Sequence, residues 1–397
     1  MLSGFKQYSI LTEAAPAHGI QHIKHPREDV LGKEVTDVHG KQTYIHGPKA
    51  INPTLSAIQG VASGRIKVKK KVDDAMSVHA IRTPDGKVGM KYKGPGATYN
   101  FSKADIEKQY KDKPYIAQKL IPMLQHIGKV LPNRPGEYQG GFLSTPETRT
   151  EKDGKISHTP NTITYAVDKN TKEGRQLAGS KVSMVIHSEI GKNGKTKPLN
   201  QSELRQHPDV HVMNTDVSPE EQKLDPDKKR QVLKHIGAAK ELMRGQDFSH
   251  LAGHEETLRR YANSTLDTGE APSVSGYKTF LNNYHNKKID AVKTEKAKMQ
   301  KTQQKEDALS HVENNKDAFN RTLQIHHHVQ RATYAVADGL SKTAHGGYDH
   351  SIEGQPATGE GFVARDSKGD VLKFVPRAFT QANRARSARF KQQKSVI

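Results

Sequence analysis

The chain has 397 residues, of which 33% are hydrophobic and 27% charged, and its 63 Lys and Arg against 43 Asp and Glu give a formal net charge of +20. The length predicts two or three domains. The basic balance favours contact with a polyanion, nucleic acid first, over a basic surface kept for solubility. The lack of cysteine excludes disulfides, thiolate metal sites and cysteine nucleophiles.

Residues 1–56 are rich in His, Gly and Pro and show no strong period, which predicts an extended, partly ordered N-terminal arm. The start of the chain lacks the apolar run of a signal peptide. No stretch approaches the roughly 20 apolar residues that span a bilayer. We therefore expect a soluble protein of a reducing compartment, with no membrane insertion.

Residues 57–216 have the pattern of a β-rich body. Short apolar runs alternate from Val61 to Lys93 around Pro84-Asp85-Gly86, which predicts a hairpin turn. Ser102 opens a helical stretch whose apolar residues recur at helical spacing as far as Val130. Strand-like segments follow, at 138–144, 162–168 and 181–187.

Residues 217–345 are polar, short of β-branched residues and largely helical in pattern. Ser218-Pro219-Glu220-Glu221 has the N-cap hydroxyl and first-turn proline of a helix start. Breaks near Gly245 and at 269–276 predict about three helices. Strand pattern returns at 361–364 and 371–375, so residues 346–380 are expected to complete the β-rich core, and 381–397 form a basic C-terminal tail.

The candidate chemistry lies in Lys71-Val72-Asp73-Asp74, between two strand-like runs. A lysine that attacks the α-phosphate of a nucleotide must present a deprotonated amine. A desolvated pocket and nearby cations would lower the pKa of that lysine. The alternative is a solvated lysine in a basic run that also contains Lys67, Lys69 and Lys70.

The order of the segments that follow resembles the ATP-dependent nucleic-acid ligases and capping enzymes. Lys71-Val72-Asp73 looks like their Lys-x-Asp-Gly motif. The further motif-like segments, in the order of that family, are Lys91–Gly96, Tyr138–Phe142, Thr164–Asp168, Gly359–Val363 and Val371–Val375. The wider sequence also resembles a family of tailed-phage proteins, in the Gln-Gly strand at 139–145, the Pro-Asn-Thr-Ile-x-Tyr-Ala-Val strand at 160–167 and the Glu-Gly-Phe-Val hairpin at 360–363.

The resemblance implies an α+β fold, with two antiparallel sheets around a nucleotide cleft and a large helical insertion at 217–345. It implies Lys71 and Asp73 as catalytic residues and a lysyl-AMP intermediate, with ATP and Mg²⁺ as cofactors. Glu360 would help to hold the metal. The cofactor-binding residues that it implies are Lys93, Tyr165, Glu360, Lys373 and Arg377.

Two motifs depart from the ligase pattern. Asp74 stands where that family has glycine, and Gly140 and Gly141 stand where its third motif has acids. Glu137 is a doubtful substitute because strand alternation and spacing place it differently. Two hypotheses therefore stay open: a nucleotidyltransferase acting on nucleic acid, or a virion protein (portal, tail or internal head component) that keeps the fold without catalysis. The expected localisation is the host cytoplasm, the phage virion, or both.

The basic tail is a candidate nucleic-acid contact under both hypotheses. Its charges could follow phosphates, and its other candidate partners are phage virion proteins. The alternative is a solvated terminus. The candidate nucleic-acid residues are Arg384, Arg386, Arg389, Lys391 and Lys394.

Overall fold

The computed structural model describes residues 23–36, 41–94, 96–191, 194–268, 270–366 and 369–394, with the side chains of 267–268 and 387–394 outside the description. The chain is mixed α and β, with several antiparallel sheets. The described residues divide into two compact units. The first unit holds 69–218 and 344–361, and the second holds 23–68, 219–343 and the residues from 362 onward.

The strands, in chain order, are β1 (Lys33–Thr36), β2 (Gln42–Ile45), β3 (Val68–Lys71), β4 (Met76–Arg82), β5 (Val88–Tyr92), β6 (Gly136–Ser144), β7 (Arg149–Lys152), β8 (Lys155–His158), β9 (Thr164–Asp168), β10 (Val182–Ile190), β11 (Thr196–Pro198), β12 (Val210–Val212), β13 (Asp349–Ile352), β14 (Gln355–Pro356), β15 (Gly361–Arg365) and β16 (Val371–Phe374).

The α-helices are α1 (Pro48–Ala62), α2 (Lys103–Gln109), α3 (Pro114–Ile127), α4 (Lys172–Gly179), α5 (Pro226–Met243), α6 (Glu255–Thr268), α7 (Val274–Asp290), α8 (Glu295–Asn314), α9 (Lys316–Leu340) and α10 (Arg377–Lys394). Short 3-10 helices lie at Pro26–Leu31, Pro146–Thr148, Gln201–Glu203 and Ser249–Leu251. In the part of the chain that the structure describes, no helix is long and apolar enough to cross a bilayer.

The first unit contains a six-stranded sheet with the order β11-β10-β6-β4-β5, to which β12 adds by pairing with β10. All its pairs are antiparallel except β10–β12. Side chains alternate between the two faces of a strand, so Met76, Val78 and Ala80 of β4 enter one apolar core with residues of α2 and α3. Ser77 and His79 therefore lie on the opposite face, which carries the polar site described below.

The same unit contains a five-stranded antiparallel sheet with the order β14-β13-β9-β8-β7. The two sheets are joined where Ser144 Oγ of β6 lies 2.9 Å from His158 Nδ1 of β8. Strand β13 pairs with β9 although some 180 residues separate Thr164 from Ser351. The first unit is therefore assembled from two distant segments of the chain.

The second unit is mainly helical, with α5 packed along α9. Residues 26–36 and 41–62 form a 3-10 helix, strands β1 and β2 and helix α1 instead of an extended arm. The part of the predicted arm at 1–22 lies outside the described residues. In α1, the buried residues Ile51, Leu55 and Ile58 have helical spacing. The internal Pro53 and the neighbouring glycines obscured that pattern in the sequence, although burial of this face stabilises the helix.

The helical block differs in detail from the prediction. Helix α5 begins at Pro226 and not near Pro219, because Asp225 is its N-cap and accepts a hydrogen bond from the Asp227 amide at 2.7 Å. Five helices, α5 to α9, occupy the block in place of three. The boundaries after α7 and α8 lie at Thr294 and Asn315, which are polar caps without glycine.

Other predicted elements are confirmed. The strands expected at 138–144, 162–168, 181–187, 361–364 and 371–375 are β6, β9, β10, β15 and β16 within one to three residues. Ser102 is the N-cap of α2, in a capping box with Asp105. The predicted turn joins β4 to β5, and its Gly86 has a φ of +83°, which favours glycine.

Candidate functional site

Asp73 anchors the lysine-bearing turn that follows β3. Its carboxylate accepts hydrogen bonds from the amides of Thr162 and Ile163, at 2.6 and 3.0 Å, and from the Asn161 side chain at 2.9 Å. The Asp73 amide donates to the Tyr165 hydroxyl at 2.8 Å. Burial and the charge of Glu360 raise the pKa of Asp73 in spite of these hydrogen bonds. The turn is thus fixed to the loop that leads into β9, and Asp73 acts here as a positioning residue.

Lys71 forms an ion pair with Glu360, which is 289 residues away in sequence. The Lys71 side chain is 25% exposed and that of Glu360 15%. Burial alone would lower the pKa of Lys71, but the charge and hydrogen bond of Glu360, with Asp74 and Asp73, raise it. Lys71 is therefore held as an ammonium ion, which reverses the lowered pKa expected from the sequence, because three carboxylates surround it.

Asp74 lies beside the same ion pair. Burial raises the pKa of its carboxyl to about 7; the positive charge of Lys71 opposes this shift and the charge of Glu360 adds to it. Ser77 Oγ donates to the Asp74 carboxyl at 3.2 Å. A Cβ added to Gly141 of β6 would lie 2.4 Å from Asp74 Oδ2. The Asp74 carboxyl thus occupies the space that a side chain at position 141 would need.

The polar face of the six-stranded sheet contains a second group of ionisable side chains. Glu137 accepts a hydrogen bond from the Tyr99 hydroxyl, and its Oε1 lies 3.3 Å from His79 Nδ1. These contacts, with His79 first, lower the pKa of Glu137. Burial and the charges of Lys71 and Lys93 lower the pKa of His187 to about 4. Glu137 forms a cluster with Tyr99 and His79 that is separate from the Lys71–Glu360 ion pair. It therefore does not take the place of the acid that the third ligase motif would supply.

Two buried polar atoms of this region have no hydrogen-bond partner. One is Oε2 of Glu360 and the other is Nε2 of His79, whose side chain is 4% exposed. Buried polar groups are normally paired, so unpaired ones mark places where a ligand, ion or water can bind. Among the described residues, no group of three or more His, Asp or Glu could by itself hold a metal ion.

Tyr165 is almost fully buried, with 3% of its surface exposed. The rings of His158, Tyr348 and His350 approach its ring edge-on at centroid distances of 5.7, 6.2 and 5.2 Å. Its hydroxyl accepts from the Asp73 amide. The structure thus places Tyr165 beneath the turn, where it supports Asp73.

The other residues predicted from the sequence lie in different places. Lys93 is in the first unit, where its amide donates to the Ser77 carbonyl at 3.1 Å. Lys373 of β16 and Arg377, the first residue of α10, belong to the second unit. Arg384 and Arg386 lie in α10; Arg389, Lys391 and Lys394 also lie along this helix, with side chains outside the described part.

The sequence interpretation missed the part that Asp74, Gly141, His79 and His187 take in the site. Alternation along β4 could have indicated His79, which lies two residues after Ser77 on the same face. The contact between Asp74 and Gly141 depends on the register of β4 and β6, where Ser77 is opposite Gly141. A single sequence does not show that register.

No curated protein and no solved structure matches the chain. Residues 21–387 match the sequence profile described as a family of unknown function (DUF6267), a range that covers both units. The chain therefore belongs to the family of unknown function DUF6267.

Proposed function

We propose that the first unit is a covalent nucleotidyltransferase of the ligase type, in which Lys71 takes up AMP from ATP and passes it to a nucleic-acid end. The observation that carries the proposal is the ion pair between Lys71 and Glu360. The motif order in the sequence independently names the same two residues. The fold that we propose is two antiparallel sheets around a nucleotide cleft, with the helical block inserted.

In the first step Lys71 attacks the α-phosphate of ATP. The lone pair of Lys71 Nζ forms a bond to the α-phosphorus while the bond from that phosphorus to the bridging oxygen breaks, and pyrophosphate leaves with the electron pair. Lys71 must first lose a proton, because the surrounding carboxylates hold it as an ammonium ion. Glu360 is the acceptor in this scheme, since it already receives the hydrogen bond of Lys71.

The roles of the neighbouring residues follow from their contacts. Asp73 and Tyr165 position the turn from below. Lys93 contributes positive charge, which also acts on His187 and would stabilise the charge that develops on the phosphates. Lys373 and Arg377 stay predictions from the resemblance alone.

The residues present fit a divalent cation such as Mg²⁺. Glu360 has a buried oxygen without a partner, and a hard cation prefers carboxylate oxygens. Mg²⁺ is commonly held by one or two carboxylates together with substrate phosphates, which agrees with the lack of a group of three ligands among the described residues. The ion would neutralise phosphate oxygens during the transfer.

The test is covalent labelling of the full chain with α-labelled ATP or GTP and Mg²⁺, read by intact mass and by retained label. We expect one nucleotide per chain, joined by an acid-labile phosphoramidate bond to Lys71. The variants Lys71→Ala and Lys71→Arg should take up no label, and the exposed Lys87→Ala should match the wild type. Wild-type labelling of Lys71→Ala, or no label on folded wild-type protein with either nucleotide, would overturn the proposal.

A virion or DNA-associated role without catalysis is the second candidate. The observation that favours it is helix α10, which has six basic residues and no acidic one over Arg377–Lys394. Such a helix suits a polyanion. This candidate needs no chemistry at Lys71, so it is the function that a folded but unlabelled protein would support.

A further inference from the structure

Asp74 and Gly141 are the two positions that depart most from the ligase pattern, and they contact each other. Asp74 lies in the turn after β3, and Gly141 lies on β6 opposite Ser77 of β4. A Cβ built on Gly141 would meet Asp74 Oδ2 at 2.4 Å and Asp74 Cβ and Cγ at 2.5 Å. Any side chain at position 141 would therefore force Asp74 out, whereas glycine leaves it room. The two departures are one coupled change.

The turn accepts aspartate at position 74 without backbone strain. Among the described non-glycine residues, only Asp153 and Glu353 have a positive φ, so Asp74 needs none of the freedom of glycine. Its amide donates to the Val72 carbonyl at 3.0 Å, and the Ala75 amide donates to the Phe142 carbonyl of β6 at 3.0 Å. The second bond ties the turn to the strand that contains Gly141 and sets Asp74 over it.

The position of the Asp74 carboxyl is suited to a cation. The Glu360 carboxyl pairs with Lys71, and the Asp74 carboxyl, three residues along the chain from Lys71, also raises the pKa of that lysine. Glu360 keeps one buried oxygen without a partner. Two carboxyls beside one lysine, of which Glu360 keeps an unused oxygen, are a donor set that Mg²⁺ or Mn²⁺ takes together with substrate phosphates.

We propose that Asp74 and Glu360 together bind the divalent cation of the nucleotidyl transfer, and that Gly141 lacks a side chain so that Asp74 can supply the second carboxylate from the turn. The inference rests on the proposed function for the role of the cation. The binding itself requires only the two carboxylates and can be measured without any nucleotide.

The first experiment measures Mn²⁺ binding to the full chain, from the resonance signal of free Mn²⁺ in solution. We expect one site per chain that Asp74→Asn and Glu360→Gln each weaken by more than about tenfold. The control Asp85→Asn, in the exposed β4–β5 turn, should bind like the wild type. Lys71→Met, which removes the competing ammonium ion, should bind Mn²⁺ more tightly although it cannot take up label.

The second experiment moves the carboxylate from position 74 to position 141. Asp74→Gly removes it, and Gly141→Asp alone crowds the resident Asp74, so both single variants should bind Mn²⁺ weakly. The double variant Asp74→Gly with Gly141→Asp places one carboxylate in the same space from β6 and should recover affinity to within a few-fold of the wild type. Thermal unfolding of each variant checks that it is folded.

The outcomes separate the two proposals. Wild-type Mn²⁺ affinity in Asp74→Asn, or a double variant that binds no more tightly than the single variants, would overturn the assignment of Asp74. Mn²⁺ binding that depends on Asp74 and Glu360 in a protein that takes up no nucleotide would support the cation site and overturn the proposed function alone.

Discussion

Asp73 accepts three hydrogen bonds from residues 161–163 while its own amide donates to Tyr165, so a single side chain ties the lysine-bearing turn to the second sheet. Buried polar groups that lose their partners pay a desolvation cost that an exposed group avoids. Loss of the Asp73 carboxyl should therefore lower the stability of the turn and of the loop that leads into β9.

We expect Asp73→Ala to lower the free energy of unfolding by about 3 kcal/mol, because it leaves two buried amides and an asparagine side chain without their acceptor. Tyr165→Phe, which leaves only the Asp73 amide unpaired, should cost about 1–2 kcal/mol. The exposed Asp112→Ala is the matched control and should change little. Urea unfolding measures all three, and an Asp73→Ala variant as stable as Asp112→Ala would contradict the anchoring role.

The sequence predicted some residues of the site and not others, for a physical reason. Lys71 and Glu360 were predicted because the short motifs that contain them follow one another in the order of the ligase family, and the two side chains meet. Asp74 and Gly141 looked like two separate losses, because their contact exists only once β4 and β6 are paired in register. The raised pKa of Lys71 was missed for the same reason, since it depends on carboxylates brought in by folding.

Among the elements, strands were predicted best because alternating apolar residues mark them locally. Helix α1 was missed, since its prolines and glycines hid a buried face. The start of α5 was placed seven residues early because Ser218-Pro219 and Asp225-Pro226 offer the same cap-and-proline signal. Only the packing of the residues after each cap decides which of two such signals begins a helix.

The expected basic tail is helical as far as residue 394, where helix α10 ends. The helix determines which of its basic residues can contact the same partner. Positions 377, 384 and 391 are seven residues apart and share one side of the helix, while 386 and 389 lie on other sides. A straight duplex meets one side of a helix, so the basic residues cannot all contact phosphates together. Binding to DNA should therefore depend more on one subset of these residues than on the total charge.

We expect replacement of Arg384 and Lys391 by Gln to reduce the slope of log affinity against log salt by about two units for duplex DNA, since each lost phosphate contact removes about 0.9. Replacement of Arg386 and Arg389 removes the same charge and should change the slope by less than about one unit. Replacing all five of 384, 386, 389, 391 and 394 sets the upper limit, about three to five units. Equal slopes for the two double variants would mean that α10 binds as a diffuse charge.

Over the whole molecule, buried histidines make stability depend on pH. Burial, with the charges of His211 and Arg149, lowers the pKa of His158 to about 3. Burial likewise lowers the pKa of His326 to about 3 and that of His254 to about 4. Each of these groups takes up a proton more readily when the chain unfolds. Stability is therefore full above the unfolded histidine pKa of about 6.5 and is lost as the pH falls toward the folded values.

We expect these three histidines to contribute a fall in the free energy of unfolding of about 4 kcal/mol per pH unit between about pH 6 and pH 5, from uptake of about three protons. Other histidines with a lowered pKa, such as His187, add to that slope. His158→Asn and His326→Gln should each flatten that slope by about 1.4 kcal/mol per unit. The exposed His345→Gln should leave it unchanged. Urea unfolding at a series of pH values gives the slope, and a flat profile over this range would show that these histidines titrate normally.

The pairing of Lys71 with Glu360 across 289 residues also sets an order in time. A ribosome adds about 5–20 residues per second, so Glu360 is made roughly 15–60 seconds after Lys71. Strand β13 is equally late, and β9 waits for it with one edge unpaired. Throughout that interval the growing chain contains Lys71, its three basic neighbours and the unpaired edge of β9. The segment that completes the first unit has not yet been synthesised. Synthesis of the helical block therefore delays completion of the site. During that delay the unpaired edge of β9 can pair with another strand unless it is covered.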